Sequence, residues 1–221
     1  MDAVMEWVHA QARVVELVEG LSAEALEVHV PACPDWTARD LLSHMIGVDA
    51  DIVAGKGDDG DVDGWTQAQV DARKGRDVAE LVAEWTAMTV PVEEWMRANN
   101  TRPLGDVIIH EQDLRGALDV AGARETDGLA ALRDRMVDGF DQAVAGAGLA
   151  PVHLVSDTWT HETGPGEAGL VLTASEFDLT RALMTRRSAA QLRSWVTAGD
   201  VEPYLGCFAA LGSLPTEDLQ H

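Results

Sequence analysis

Three residues in this chain have the types and spacing to carry metal chemistry together: His44, Asp106 and His110. Asp106 and His110 lie four apart, and on an α-helix that spacing puts both side chains on one face, one turn apart, within reach of one ion. His44, on a separate predicted helix, would complete the set from across a helix bundle. Two imidazoles and one carboxylate suit a zinc-type divalent ion at roughly 2.0–2.2 Å per bond, and three protein ligands leave a fourth position open for water or substrate. The same spacing also fits a plainer reading, in which Asp106 is a first-turn carboxylate favoured by the helix dipole and the histidines are hydrogen-bonded ring donors. Asp113 is a spare carboxylate on the same edge. It can hydrogen-bond a ligand imidazole, bind the ion itself, or be a solvated side chain.

The elements that must position these groups are helical as far as about Leu149, with apolar residues recurring at three and four. Met5, Val8, Ala12, Val15, Leu17 and Val18 read as the inner face of a first helix that Gly20 ends. The run Pro31-Ala32-Cys33-Pro34-Asp35-Trp36-Thr37 stops any earlier helix, and Asp35 or Thr37 can cap a second one whose stripe is Leu41, Leu42, Met45 and Ile46. His44 sits beside that stripe and should face inward. Gly55 to Gly64 reads as a loop, Val78 to Arg97 as a third helix, and Pro103 opens a fourth that carries Asp106, His110 and Asp113. A fifth helical segment runs from Asp127 to Val144. After Pro151 the texture changes: Val152 to Thr160 and Gly169 to Thr173 read as a β-hairpin around Thr163-Gly164-Pro165-Gly166, and Ser175 caps a short helix. A second short helix spans Ala189 to Trp195, and Gly199-Asp200-Val201 opens a last strand. The expected organisation is a helical bundle over residues 1–148 and a small α+β domain over 151–221.

Composition narrows the partners. A formal net charge of −22 over 221 residues repels phosphate backbones and anionic lipid, which disfavours nucleic-acid and membrane binding. No apolar run approaches the ~20 residues needed to span a bilayer, and the N-terminus lacks the basic start of a secretory signal. Two cysteines, Cys33 and Cys207, give no disulfide framework, in keeping with a cytoplasmic setting. His29, His153, His161 and His221 have no partner at a diagnostic spacing and read as surface histidines. The tryptophans Trp36, Trp65, Trp85, Trp95, Trp159 and Trp195 read as core and cleft wall, with Trp36 near the helix of His44.

The segment Cys33-Pro34-Asp35-Trp36-Thr37-Ala38-Arg39-Asp40-Leu41-Leu42-Ser43-His44 resembles the Cys-Pro-x-Trp-Thr-x-Arg-Asp-Leu-x-x-His signature of the mycothiol-dependent maleylpyruvate isomerase family. A second segment, Asp106-Val107-Ile108-Ile109-His110-Glu111-Gln112-Asp113-Leu114, is similar to the family's acid-x3-His-x2-Asp-Leu. Gly64 to Val70 and Leu81 to Trp85 also have the family's texture, and the stretch around Leu183-Met184-Thr185-Arg186-Arg187 resembles its C-terminal domain. The resemblance implies a mainly α protein: a DinB-like four-helix bundle followed by a small, sterol-carrier-like α+β domain. It further implies a divalent metal, zinc by preference, held by His44, Asp106 and His110, with mycothiol as the thiol. In the family the metal lowers the thiol pKa, thiolate adds to a cis double bond, rotation follows, and loss of thiolate leaves the trans isomer. Arg186 aligns best with the family's arginine for a carboxylated substrate, and Arg187 is the alternative; either also fits a surface charge at a helix C-terminus. One departure is Asp106, where the family often has Glu, so the shorter carboxylate must come closer or bind differently. Cys33 is open to a ligand or nucleophile role, or to a structural one.

The reading implied is an enzyme that uses mycothiol on a small electrophile, as an isomerase or a thiol transferase, acting as a monomer or homodimer. The alternative is a non-catalytic protein that binds metal or a small apolar ligand.

Overall fold

The computed structural model describes residues 1–220 and divides into two compact units, Met1–Ala123 and Arg124–Gln220. In the first unit Asp2 caps α1 (Ala3–Val18), its carboxylate accepting from the Val4 and Met5 amides, and Gly20 closes it at φ +83°. A two-stranded antiparallel ribbon follows, β1 (His29–Val30) with β2 (Cys33–Thr37), where no strand was expected. Thr37 and Asp40 then form a reciprocal capping box that starts α2 (Ala38–Val53). Next come α3 (Val62–Asp71), α4 (Val78–Ala98) and α5 (Arg102–Leu118). The long helices α1, α2, α4 and α5 make the four-helix bundle, with α1 packed on α4 and α5 and α2 packed on the same two.

The inner face of α1 differs from the expected one. Val4, Trp7, Ala10, Gln11, Val14 and Val18 are buried, whereas Met5 is 40% exposed. Gln11 explains the shift: its amide donates to the Trp85 carbonyl at 2.9 Å and accepts from Thr89, so a polar residue occupies a core position and interrupts the apolar stripe. Another polar tie joins α1 to α5, where the fully buried Glu111 carboxylate takes a fork of hydrogen bonds from Arg13 and further bonds from Arg115. The helix α3 was likewise not expected, since Gly55 to Gly64 read as a loop and α3 begins inside it at Val62.

The second unit starts earlier than the expected 148/151 boundary. Its first element is α6 (Asp127–Gly146), whose Val137, Phe140 and Val144 join one core with Val152, Leu154, Leu170 and Leu172. Helical period identifies an apolar face but not the surface that covers it. The sheet has the order β4-β3-β5-β6, built from β3 (Val152–Val155), β4 (Thr160–Glu162), β5 (Leu170–Thr173) and β6 (Val196–Gly199). The expected hairpin between residues 152–160 and 169–173 is replaced: β3 turns into β4 as an antiparallel pair, and β5 lies parallel to β3 on its other side. The last strand ends at Gly199 rather than opening there. The short helices α7 (Glu176–Leu183) and α8 (Ala189–Ser194) complete the unit, capped by Ser175 and Ser188. No helix among the described residues is long and apolar enough to cross a membrane.

The observed face of α1 separates two substitutions. Trp7→Ala should destabilise the protein by about 3–5 kcal/mol, because it opens a cavity at a position with no exposure. Met5→Ala should stay within about 0.5 kcal/mol. Urea unfolding with unchanged m-values checks both, and equal costs would contradict this register.

Candidate metal centre

The first ligand candidate is positioned by helix start and packing together. The Thr37–Asp40 box fixes where α2 begins, Leu41, Leu42, Met45 and Ile46 bury one side of it, and His44 is carried inward to 5% exposure. On α5, Asp106 and His110 lie one turn apart, and α2 packs directly on α5. The three residues come together: Nε2 of His44 and Nε2 of His110 each lie 3.6 Å from Oδ1 of Asp106, and the ligand atoms of all three are within 4.8 Å of one another. At 3.6 Å neither contact is a good hydrogen bond. Two ligands on one tetrahedral ion at ~2.1 Å each would sit roughly 3.4 Å apart, so the donor set and its spacing fit a shared ion. Trp36 walls the site, with its ring 4.9 Å from that of His44.

Both rings are held from behind at Nδ1. Asp113 is fully buried, not solvated, and its Oδ2 lies 3.0 Å from His110 Nδ1. On the other ring, Gln69 of α3 brings Oε1 to 2.8 Å from His44 Nδ1. An acceptor behind Nδ1 puts the ring hydrogen there and leaves the Nε2 lone pair turned toward the centre. Asp113 was one of the open readings of the sequence; Gln69 was missed, because no short spacing links it to His44.

Charges in the site are strongly interdependent. Burial pulls the His44 imidazolium down, but the Asp106 carboxylate beside it and the Gln69 carbonyl outweigh burial, so its pKa is raised. Burial likewise acts to raise Asp106, and the adjacent His110 and His44 overcome it and hold the carboxyl below its ordinary value. Asp49, on α2, behaves in the opposite way. Burial first, and then the charge of Asp106, drive it well above the carboxylate range despite a 2.7 Å hydrogen bond from the Trp85 indole. The unfolded chain ionises this group from about pH 4 while the folded chain keeps its proton, so stability falls as pH rises through that window. In metal-free protein Asp49→Asn should keep an acceptor for Trp85 and remove that slope. The gain in Tm should be small near pH 4 and grow toward neutrality; thermal melts across pH check this, and a gain flat in pH would contradict it.

Other candidates are placed differently. Cys33, half-buried on β2, groups with His110 and Asp113, their ligand atoms lying within 4.8 Å of one another, and it forms no disulfide. Arg186 and Arg187 follow α7 in the second unit and are not surface charges: they are 8% and 0% exposed. Arg187 is tied by Nε and Nη2 to Asp178 at 3.0 and 2.8 Å and donates to the Arg186 carbonyl. His29 is exposed, whereas His153 and His161 are half-buried, His161 at 2.7 Å from Asp141; His221 lies outside the described residues.

Comparison with known proteins follows the same outline. No curated protein matches the chain. Two solved structures do, one titled as the mycothiol-dependent maleylpyruvate isomerase and one as a histidine-to-alanine mutant of it. They superpose with TM-scores of 0.58 and 0.57 at 9% sequence identity, covering 91% of this chain and 94% of theirs, a likeness of fold. Residues 7–115, which hold the whole His44, Asp106 and His110 constellation, match the family described as the mycothiol maleylpyruvate isomerase N-terminal domain. The match assigns residues 7–115, rather than the whole chain, to the mycothiol maleylpyruvate isomerase N-terminal domain family.

Proposed function

We propose that this protein is a metal-dependent enzyme that uses the low-molecular-weight thiol mycothiol to isomerise, or add to, a small electrophile such as maleylpyruvate. The observation that carries the reading is the convergence of two imidazole Nε2 atoms on one carboxylate oxygen, each ring backed at Nδ1 by an acceptor. His44, Asp106 and His110 are the residues that would hold the ion, and an N2O donor set with an open position suits zinc. When bound, such an ion supplies positive charge that keeps a coordinated thiol as its thiolate at neutral pH.

The chain's own residues do the rest. Asp113 and Gln69 orient the rings, Asp106 supplies the one ligand charge, and Trp36 gives the site an apolar wall. Asp106 reaches the centre although it is shorter than glutamate, because α2 and α5 pack directly on each other. In this reading Arg186 binds the carboxylate of the substrate, since a guanidinium fork matches it bidentately. Arg187, the alternative, bonds Asp178 through Nε and Nη2, and Arg186 donates through Nη1 to the Met184 carbonyl. The proposed setting is cytoplasmic, where a thiol stays reduced.

Protein purified without added metal should carry about one equivalent of divalent ion that is lost in His44→Ala and His110→Ala, by elemental analysis of folded protein. With mycothiol and maleylpyruvate or another electrophile, the loaded protein should consume thiol or form the trans isomer. Absence of metal even after zinc reconstitution would defeat the reading, and stoichiometric metal without any thiol chemistry would favour a non-catalytic binder. Arg186→Lys should raise KM for a carboxylated substrate by about ten- to a hundredfold at unchanged metal content, the scale of one charged hydrogen-bond pair.

A further inference from the structure

The two histidines of the centre are oriented by different chemistry. His110 has a carboxylate behind it on its own helix, whereas His44 depends on an amide from α3, 25 residues away in sequence. An amide end can face either way, presenting a carbonyl acceptor or an NH2 donor. Here a second contact decides. The Gln69 Nε2 lies 3.0 Å from Oδ2 of Asp51, a carboxylate on α2 two turns beyond His44 with the ammonium of Lys56 at 3.7 Å from its other oxygen. A carboxylate there only accepts, so the NH2 of Gln69 must face Asp51 and its carbonyl must face His44.

The backbone is built to make this contact close. A Cβ placed on Gly47 of α2 would lie 2.3 Å from Cβ of Gln69, so α3 crosses α2 at a distance that only glycine permits. The far end of α3 is tied as well: Arg73 donates to the main-chain carbonyl of Gln69 at 3.0 Å and to Glu84 of α4 at 2.6 Å. An otherwise marginal ten-residue helix is thereby held against the bundle with one buried polar side chain directed at His44.

We infer that Gln69, turned by Asp51, is the positioning residue that fixes His44 as its Nδ1–H tautomer and so aims the Nε2 lone pair at the metal site. The inference rests on the proposed metal reading for its purpose, but its geometry can be tested without metal. Deleting the Gln69 acceptor leaves Asp106 as the nearest acceptor for the ring hydrogen, which draws it onto Nε2 and blocks that atom as a ligand.

The test uses the full chain and three variants: Gln69→Leu, Asp51→Ala, and the swapped pair Gln69→Glu with Asp51→Asn, in which the donor and acceptor are exchanged but the acceptor behind His44 is kept. Ring 15N spectra of metal-free protein in mildly alkaline buffer read the tautomer, and zinc competition against a chromophoric chelator reads affinity. The wild type should show Nδ1–H at His44, and Gln69→Leu should show Nε2–H with zinc affinity about 10–100-fold lower, the usual cost of losing such a partner. Asp51→Ala should lose less. The swapped pair should return to within about threefold of the wild type. An unchanged tautomer and affinity in folded Gln69→Leu would overturn the inference. If the wild type binds no zinc, the metal reading fails by itself. The metal-free spectrum then still decides the inference: Nε2–H in the wild type, or one tautomer shared by both proteins, overturns it.

Discussion

An imidazole can offer Nε2 as a ligand only when its hydrogen resides on Nδ1, and a buried Nδ1–H needs an acceptor. In the first unit both His44 and His110 have such an acceptor. For His110 the acceptor comes cheaply, because Asp113 is three residues on along the same helix and already faces the same edge. For His44 no such neighbour exists on α2, and a further helix delivers the acceptor from outside the four long helices. The closeness of that helix depends on Gly47, and its orientation on the Asp51 carboxylate and the Arg73–Glu84 pair.

This difference also explains what could be read from the sequence. Asp106, His110 and Asp113 belong to one helix, so their mutual reach follows from helical spacing. His44 could be placed inward because Leu41, Leu42, Met45 and Ile46 define a stripe around it, and the capping box at Thr37 fixes its register. Gln69 follows no such rule. Its contact with His44 is tertiary, it is an ordinary helix residue by type, and the Gly- and Asp-rich run before it suggested a loop. The face of α1 was misread for a related reason: Gln11 is buried because it satisfies a carbonyl of α4, and hydrophobic pattern does not register polar residues that are paid for by hydrogen bonds.

In the second unit local signals held and pairing did not. Ser175 begins its helix as the expected side-chain cap, and Ser188 caps the next in the same way, since the cap is an interaction within three residues. Strand partners are chosen over longer distances. The turn-rich run at residues 163–166 invited a hairpin, yet Ser156 to Trp159 makes the tighter turn, closed by hydrogen bonds between Ser156 and the Trp159 backbone. With β4 occupying one edge of β3, β5 can pair with β3 only on the other. The adjacent Arg186 and Arg187 show the same limit, because nothing in their order tells that Arg187 bonds Asp178.

The electrostatics of the centre follow from Asp106 lying beside two histidines. Asp106 is held ionised by the histidines on either side, while Asp49 is buried nearby and driven toward its neutral form in part by that same charge. Two ionised carboxylates in so small a volume would oppose each other, and burial resolves the conflict in favour of the one with imidazole partners. In the proposed reading, a divalent cation on two neutral rings and Asp106 would keep a positive charge, which would favour an anionic fourth ligand such as a thiolate over a neutral one. A second ligand carboxylate would cancel that charge and weaken the preference. In a chain with a formal charge of −22, a cation held in this way would have to supply any attraction for an anion locally, and two imidazoles with one carboxylate would leave it the charge to do so.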